Sequence, residues 1–224
     1  MDWTALKLSV ELALATVAVL VPLSVVFGRW LAYDALRGKT AVEALVMLPL
    51  VLPPTVLGYY LLVGLGAASP LGKLWTALTG HPLVFSFAGL LVASVITNLP
   101  LAVQPIQRAF EAIPGDVREA AACCGMRPWH AVRAVELPLA WPGILTAAVL
   151  TFAHTLGEFG VVLMVGGSIP GETRTIALSI YDRVQAFDDA AAARMSALLL
   201  AVSVAAISAT FYLARRDRPA QRPR

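Results

Sequence analysis

The chain has 224 residues, 58% hydrophobic and 14% charged, with a formal net charge of +3 and a mean hydropathy of +0.76. Soluble domains carry about 25% charged residues, so this composition excludes a self-contained soluble enzyme and points to a membrane protein. The small net charge gives no nucleic-acid footprint, and the only cysteines, Cys123 and Cys124, are adjacent, a spacing that suits neither a disulfide framework nor zinc.

Five apolar stretches are long enough to cross a bilayer, which needs about 20 residues per helix. The first, residues 8–28, is interrupted only by Glu11 and lacks the basic flank and short apolar centre of a cleaved leader, so it reads as a retained helix. The second, residues 44–72, is uncharged but carries Pro49, Pro53 and Pro54. It is too long for one straight span and too rich in proline for a regular one, so a kink or unwound entry is expected near Pro53. The third is 82–107, the fourth 139–157 and the fifth 195–214.

Five spans put the termini on opposite sides, and lysine and arginine are retained on the cytoplasmic face. With the C-terminus inside, the inner segments hold Arg29, Arg37, Lys39, Arg108, Arg118, Arg127, Arg133, Arg215, Arg216, Arg218, Arg222 and Arg224, twelve of the 17 basic residues. The outer segments hold Lys7, Lys73, Arg174, Arg183 and Arg194. The expected topology is N-outside and C-inside, with residues 1–214 as one transmembrane domain and 215–224 as a basic tail held near anionic lipid. No internal repeat stands out, and the two halves lack the matching broken segments of an inverted-repeat transporter.

The longest inner loop, residues 111–138, reads EAIPGDVREAAACCGMRPWHAVRAVELP. Pro114 and Gly115 stop the third span, and Asp116 followed by Glu119 can cap a new helix running from Val117 to about Cys124. Gly125 supplies its end, Pro128 suits the first turn of a second short helix reaching Glu136, and Pro138 opens the next span. Ala120, Ala121 and Ala122 leave one side of the first helix nearly bare, where another protein's backbone could approach; the plain alternative is a surface linker helix.

Glu119-Ala120-Ala121, then Gly125, then nine residues and Val135-Glu136-Leu137-Pro138, resembles the EAA loop of ABC importer permeases, EAA-x3-G-x9-I-x-L-P, with Val135 where isoleucine is usual. In that family the loop forms a coupling helix that docks into a groove on the ATP-hydrolysing subunit. The resemblance assigns ATPase coupling to Glu119, Ala120, Ala121 and Gly125, with Met126 and Trp129 as flanking contacts. The LPLVLPPTVLGY segment from Leu48, the TLGEFG segment from Thr155 and the IPGETRT segment from Ile169 resemble the molybdate branch of these permeases. Sulfate and thiosulfate permeases share the GEFG element, whereas the IPGETRT string and the short chain favour molybdate. The likeness runs from about residue 8 to 214.

Gly38-Lys39-Thr40 ends like a phosphate-binding loop, but Tyr33 stands where the first glycine belongs and no strand is expected before it. ATP and magnesium are therefore expected on a partner, with no cofactor in this chain. Glu158 sits in an otherwise apolar run, where a carboxylate faces a cavity or a partner. It either lines the anion path or, the reading preferred because a carboxylate repels a dianion, stabilises a helix break at Gly157 and Gly160. His154 could pair with Glu158 at i, i+4. Thr97 and Asn98 lie in the third span, where interhelical hydrogen bonding is the default and a path-lining role the alternative. Residues 173–189 place Ile176, Ile180, Val184 and Phe187 on one helical face, suggesting an outer interfacial helix whose charges could seat a binding protein.

The expectation is an all-α integral membrane protein of about five transmembrane helices with the type I ABC importer permease fold. The resemblance implies a second copy of this chain, two cytoplasmic ABC ATPase subunits and a periplasmic or extracellular molybdate-binding protein, in a bacterial or archaeal cytoplasmic membrane. Sulfate, thiosulfate or tungstate are alternative substrates, and a secondary anion transporter or a non-transporting scaffold are alternative classes.

Overall fold

The computed structural model describes residues 1–34 and 38–216, with side chains to Ser208. Arg37 and residues 217–224 of the basic tail lie outside the described residues. Every regular element among the described residues is helical.

Helix α1, Trp3–Tyr33, exceeds the expected first span at both ends. The Asp2 carboxylate accepts from the Ala5 amide at 3.0 Å and caps the start, and the far end carries polar anchors described below. Helix α2, Lys39–Val51, and helix α3, Pro54–Leu65, meet at 108°. A residue before proline is pushed out of the helical region, and here Leu52 precedes Pro53 and Pro53 precedes Pro54. Two consecutive residues are thus extended, with ψ of 139° and 136°, and the chain turns sharply. The break expected near Pro53 is present, while Pro49 stays inside α2. The arms are roughly 20 and 18 Å long at 1.5 Å per residue, so neither crosses a 30 Å hydrocarbon core alone.

Helix α4, Pro70–Thr79, follows, capped by Ser69. Helix α5, Phe87–Glu111, starts later than the expected residue 82. Ser86 sets that start: its hydroxyl donates to the Leu83 carbonyl at 2.6 Å and accepts from the Gly89 amide at 3.2 Å. After α6, Gly115–Cys123, and α7, Pro128–Ala131, a π-helical turn at Val132–Glu136 leads into α8, Leu137–Gly157. Contrary to expectation, Pro138 does not open a separate helix: the π-helical turn just before it, which can accommodate the ring and the missing N–H, keeps the helix continuous. The chain therefore runs as one helix from Pro128 to Gly157.

Helix α9 spans Gly160–Gly166, α10 Ile176–Gln185 and α11 Asp189–Arg216. Among the described residues four helical stretches are long and apolar enough to span, and the bent α2–α3 pair, counted as one span, makes five. In α10 the expected stripe holds only at its start, where Ile176 is buried and Ile180 half-buried, and Leu178 and Ser179, outside the stripe, are buried as well, Leu178 against Leu8 and Leu12 of α1. Val184 is exposed, and Phe187 lies beyond the helix end at 91% exposure.

Helices α1, α5 and α8 form the central bundle. Val21, Ile106, Phe110, Ile144 and Ala147 fill one end of it, and Leu8, Leu12, Leu90, Val162 and Leu178 fill the other. Helix α3 packs on α9 through Leu57, Val161 and Val165. Lipid is as apolar as leucine, so these helices hold together by close packing and hydrogen bonds. The tightest crossing is at Gly143 of α8. A methyl group built there would lie 2.4 Å from the Ala109 Cβ and 2.7 Å from the Pro105 carbonyl oxygen.

Gly143→Ala therefore forces α8 off α5 and is expected to cost about 1–3 kcal/mol, read as a lowered melting midpoint in detergent. Gly64→Ala, where an added carbon meets nothing within 4 Å, is the control and should not lower the midpoint.

Candidate functional site

The loop between α5 and α8 folds as a helix, a turn and a helix. Helix α6 begins at Gly115 behind Pro114, so Asp116 sits in its first turn rather than at the cap position expected for it. There a carboxylate still faces the positive end of the helix. Gly125 ends α6 with φ of +74°, a conformation that side chains resist, and the Met126 amide closes the turn onto the Ala121 carbonyl at 3.2 Å. Successive helical residues are 100° apart, so the three alanines do not share one bare side. Ala120 and Ala122 are exposed with Glu119, whereas Ala121 turns inward at 6% exposure. Met126 is partly exposed and Trp129 is 68% exposed, with the Arg133 guanidinium 5.9 Å from its ring centroid.

Beneath α6 lies a cavity of about 210 Å³ lined by Arg29, Arg118, Ala121, Met126, Val135 and Glu136. Glu136 is 4% exposed, yet its carboxylate is fully engaged. Arg29 of α1 donates to it through Nε and through a terminal nitrogen at 3.1 Å, the bidentate geometry that suits a planar guanidinium. Arg118 of α6 approaches the same carboxylate at 3.7 Å and stacks 3.6 Å from the centroid of the Tyr33 ring. The Tyr33 hydroxyl donates to the Phe110 carbonyl at 3.1 Å. Helices α1, α5, α6 and the base of α8 thus meet around one carboxylate. In the sequence Arg29 and Arg118 stand out only as inner-segment charges, and Glu136 only as the end of the second short helix and the unspecified position of the EAA pattern. A lone glutamate immediately before the span was the available signal.

The same end of the bundle carries a second ionic group. Lys39 lies 3.8 Å from Glu43 and 3.5 Å from Glu111, Arg108 lies 2.8 Å from Glu111, and the Gln107 amide donates to both glutamates. Lys39, the residue of the P-loop-like triplet, is thereby engaged with carboxylates, and Gly38 precedes α2 with φ of +103°.

Toward the other end, α8 stops at Gly157 and α9 starts at Gly160. Glu158, between them, is buried; its Oε1 accepts from the Val161 amide at 3.4 Å. Its Oε2 lies 3.6 Å from Nδ1 of His154. The fully buried Asn98 donates to the Ser94 carbonyl at 2.8 Å and to the Thr155 hydroxyl oxygen at 3.1 Å, leaving its own oxygen 3.1 Å from His154 Nδ1. An amide oxygen only accepts, so this contact puts a proton on Nδ1 and leaves Nε2 for other partners. The structure brings Asn98, His154, Thr155 and Glu158 together but not Thr97, whose hydroxyl bonds the Ala93 carbonyl of its own helix at 2.9 Å. A cleft of about 640 Å³ opens beside this group, lined by Pro54, Thr55, His154, Gly157, Glu158 and Gly160. Gly160 is required by the approach of α3: an added Cβ would lie 2.7 Å from that of Pro54.

The IPGETRT string makes a hydrogen-bonded loop between α9 and α10. The buried Thr173 hydroxyl donates to the Gly166 carbonyl at 2.6 Å and accepts from the Ile169 amide at 2.9 Å. Arg174 reaches Ser168 and lies 3.4 Å from Asp182. The outer charges expected to face a partner are in part tied to one another in this way, as are Arg183 and Asp188.

A helical bundle with a bent second span and a structured loop before α8 is the architecture of an importer's membrane subunit, and the sequence comparisons agree. The family model for the binding-protein-dependent transport system inner membrane component matches residues 12–218, and the chain belongs to that family. The molybdenum transport system permease protein ModB of Azotobacter vinelandii is 51% identical over 85% of this chain and 84% of its own length. ModB of Escherichia coli (strain K12) is 34% identical over 97% and 95%, and the sulfate transport system permease protein CysT of that strain is 32% identical over 80% and 66%. The fold is shared with a bacterial ABC transporter involved in import of the acidic polysaccharide alginate, with a TM-score of 0.77 and 15% identity over 95% of this chain and 78% of that one. It is also shared with the inward-facing MetNI methionine ABC transporter, with a TM-score of 0.68 and 18% identity over 97% and 94%.

Taking its main cation away from a buried carboxylate is destabilising, whereas replacing both partners of such a pair by apolar groups is often neutral. Arg29→Met should therefore lower the melting midpoint in detergent well below that of the Arg29→Met/Glu136→Met double variant. Equal midpoints would mean that the pair is not coupled.

Proposed function

We propose that this chain is the membrane-spanning subunit of an ATP-driven importer that moves molybdate into the cell. The observation that carries this reading is the 51% identity to a molybdenum permease over most of both chains, against 32% to a sulfate permease over two thirds of the latter. One copy has too few spans to enclose a path, so two copies pack about a two-fold axis with the anion passing between them. Their clefts beside Pro54, Thr55 and His154 contribute to the path. A tetrahedral oxyanion is passed along by neutral donors, because a strong fixed cation would trap it. Glu158 acts chiefly as the brace of the α8–α9 break, supported by its bond to the Val161 amide.

Two cytoplasmic ATPase subunits hold the ATP and magnesium and dock on the exposed faces of the two α6 helices, at Glu119, Ala120, Gly125, Met126 and Trp129. Ala121, facing the bundle, supports this surface from behind. A soluble binding protein delivers molybdate at the opposite face, so the N-terminus lies outside and the C-terminus inside. The convergence of Arg29, Lys39, Arg108 and Arg118 at the α6 end of the bundle supports that orientation. Closure of the ATPase dimer on ATP draws the α6 helices together and shifts the bundle from inward-open to outward-open, a two-state equilibrium that the loaded receptor also biases.

Deleting the gene in its host should abolish uptake of labelled molybdate that resists a large excess of sulfate, and a plasmid copy should restore it. Retained molybdate uptake with lost sulfate uptake would move the substrate to sulfate or thiosulfate. Ala120→Trp, on the exposed face of α6, should insert and fold normally yet lose copurification with the ATPase. Normal assembly and transport by that variant would overturn the docking surface.

A further inference from the structure

Resting on the importer reading, we propose that the Arg29–Glu136–Arg118 cluster is the joint through which movement of α6 reaches α1 and α8, with Arg118 as its positioning residue. Helix α6 has little apolar grip on the bundle. Ala121 is its one buried residue and Val117 packs only partly against the core beside Ile113. Among the described residues, Arg118 carries the ionic tie from α6 to the transmembrane helices, reaching Glu136 at 3.7 Å and the Tyr33 ring at 3.6 Å. Glu136 stands at the base of α8, Tyr33 at the end of α1, and Tyr33 is itself pinned to α5 through the Phe110 carbonyl.

The charge count separates connection from stability. Two guanidinium groups share one carboxylate, and Arg29 already satisfies it in bidentate fashion. Glu136 therefore keeps its bidentate, half-buried partner when Arg118 is removed, and the bundle keeps its core. What is lost is the grip of α6 on the helices it must move. A guanidinium held 3.6 Å over the ring centroid adds a cation–π attraction and a charge contact with Glu136 that the apolar contact at Ala121 lacks.

The test uses the whole complex, with permease, ATPase and binding protein in lipid vesicles supplied with ATP and labelled molybdate. Arg118→Ala should copurify with the ATPase and hydrolyse ATP, while molybdate taken up per ATP hydrolysed falls at least tenfold. Glu136→Gln, which removes the charge holding Arg118, should fall in the same direction. Unchanged uptake per ATP in Arg118→Ala, or failure of Arg118→Ala to bind the ATPase, would each overturn the joint.

A second readout is independent of substrate. With Cys123 and Cys124 replaced by serine, a spin label at Trp3→Cys, on the exposed far end of α1, reports the distance between the two copies. ATP should change this distance in the otherwise wild-type complex and leave it unchanged when Arg118 is alanine. A wild-type complex that shows the ATP-driven change but takes up no molybdate would overturn the substrate and leave the joint standing. One that takes up molybdate, with an equal ATP-driven change in the Arg118→Ala complex, would overturn the joint alone.

Discussion

Within a bilayer, apolar side chains gain almost nothing by leaving lipid for one another, and every backbone polar group must find its partner inside the protein. That constraint explains most of what holds this chain together. The central helices touch where glycine allows it, at Gly28 and Gly143 against α5, and many polar side chains in the spans make hydrogen bonds, although the buried hydroxyls of Ser24, Ser94 and Thr151 have no partner among the described residues. Thr16, Thr97, Thr146 and Thr155 each donate back to a carbonyl of their own helix, and Asn98 ties α5 to α8. Where the helical ladder is broken, the ends are closed locally. Glu158 closes the start of α9, and Thr173 bonds the carbonyl of Gly166 and the amide of Ile169.

Charge is confined to the two ends of the bundle by the same constraint, and the ends differ. At the α6 end, carboxylates are shared between cations that come from separate helices, with Glu136 and Glu111 each serving two. At the other end the pairs are mostly local, as in Lys7 with Glu11 and Arg183 with Asp188. Exposed local pairs are worth little. Shared, partly buried ones tie elements together, so the α6 end is the more rigidly interconnected of the two.

Much of the architecture was legible because spans are dictated by apolar length and breaks by proline and glycine. The break at Pro53 and the stop at Gly125 follow from local backbone chemistry, which sequence displays directly. Residue pairing does not follow in that way. Glu136 stands at an unspecified position of the EAA pattern and its partner Arg29 lies 107 positions away, and Ala121 looked interchangeable with Ala120 because which side of α6 faces the bundle depends on the docking of the whole loop. The start of α5 at Phe87 was missed through the capping turn at Ser86, and the face of α10 through its packing on α1. Helical period alone cannot anticipate a tertiary neighbour. At the GEFG element the sequence predicted a break and a His154–Glu158 pair but not the role of Asn98 in setting the imidazole's tautomer.

The continuous helix from Pro128 to Gly157 has a mechanical consequence. It is tied to α1 at Glu136 by Arg29, with a short arm from Pro128 to that point and a long arm from Leu137 to Gly157 that packs on α5 at Gly143 and is bonded to it through Asn98. At 1.5 Å per residue the arms are about 13 and 31 Å. When α8 turns about that point with α5 carried along, its far end moves about two and a half times as far as its near end, in the opposite direction. An inward displacement of 1 Å at Trp129 would thus become an outward swing of roughly 2 Å or more at His154, so a small motion at one membrane face is geared up into a larger one near the other.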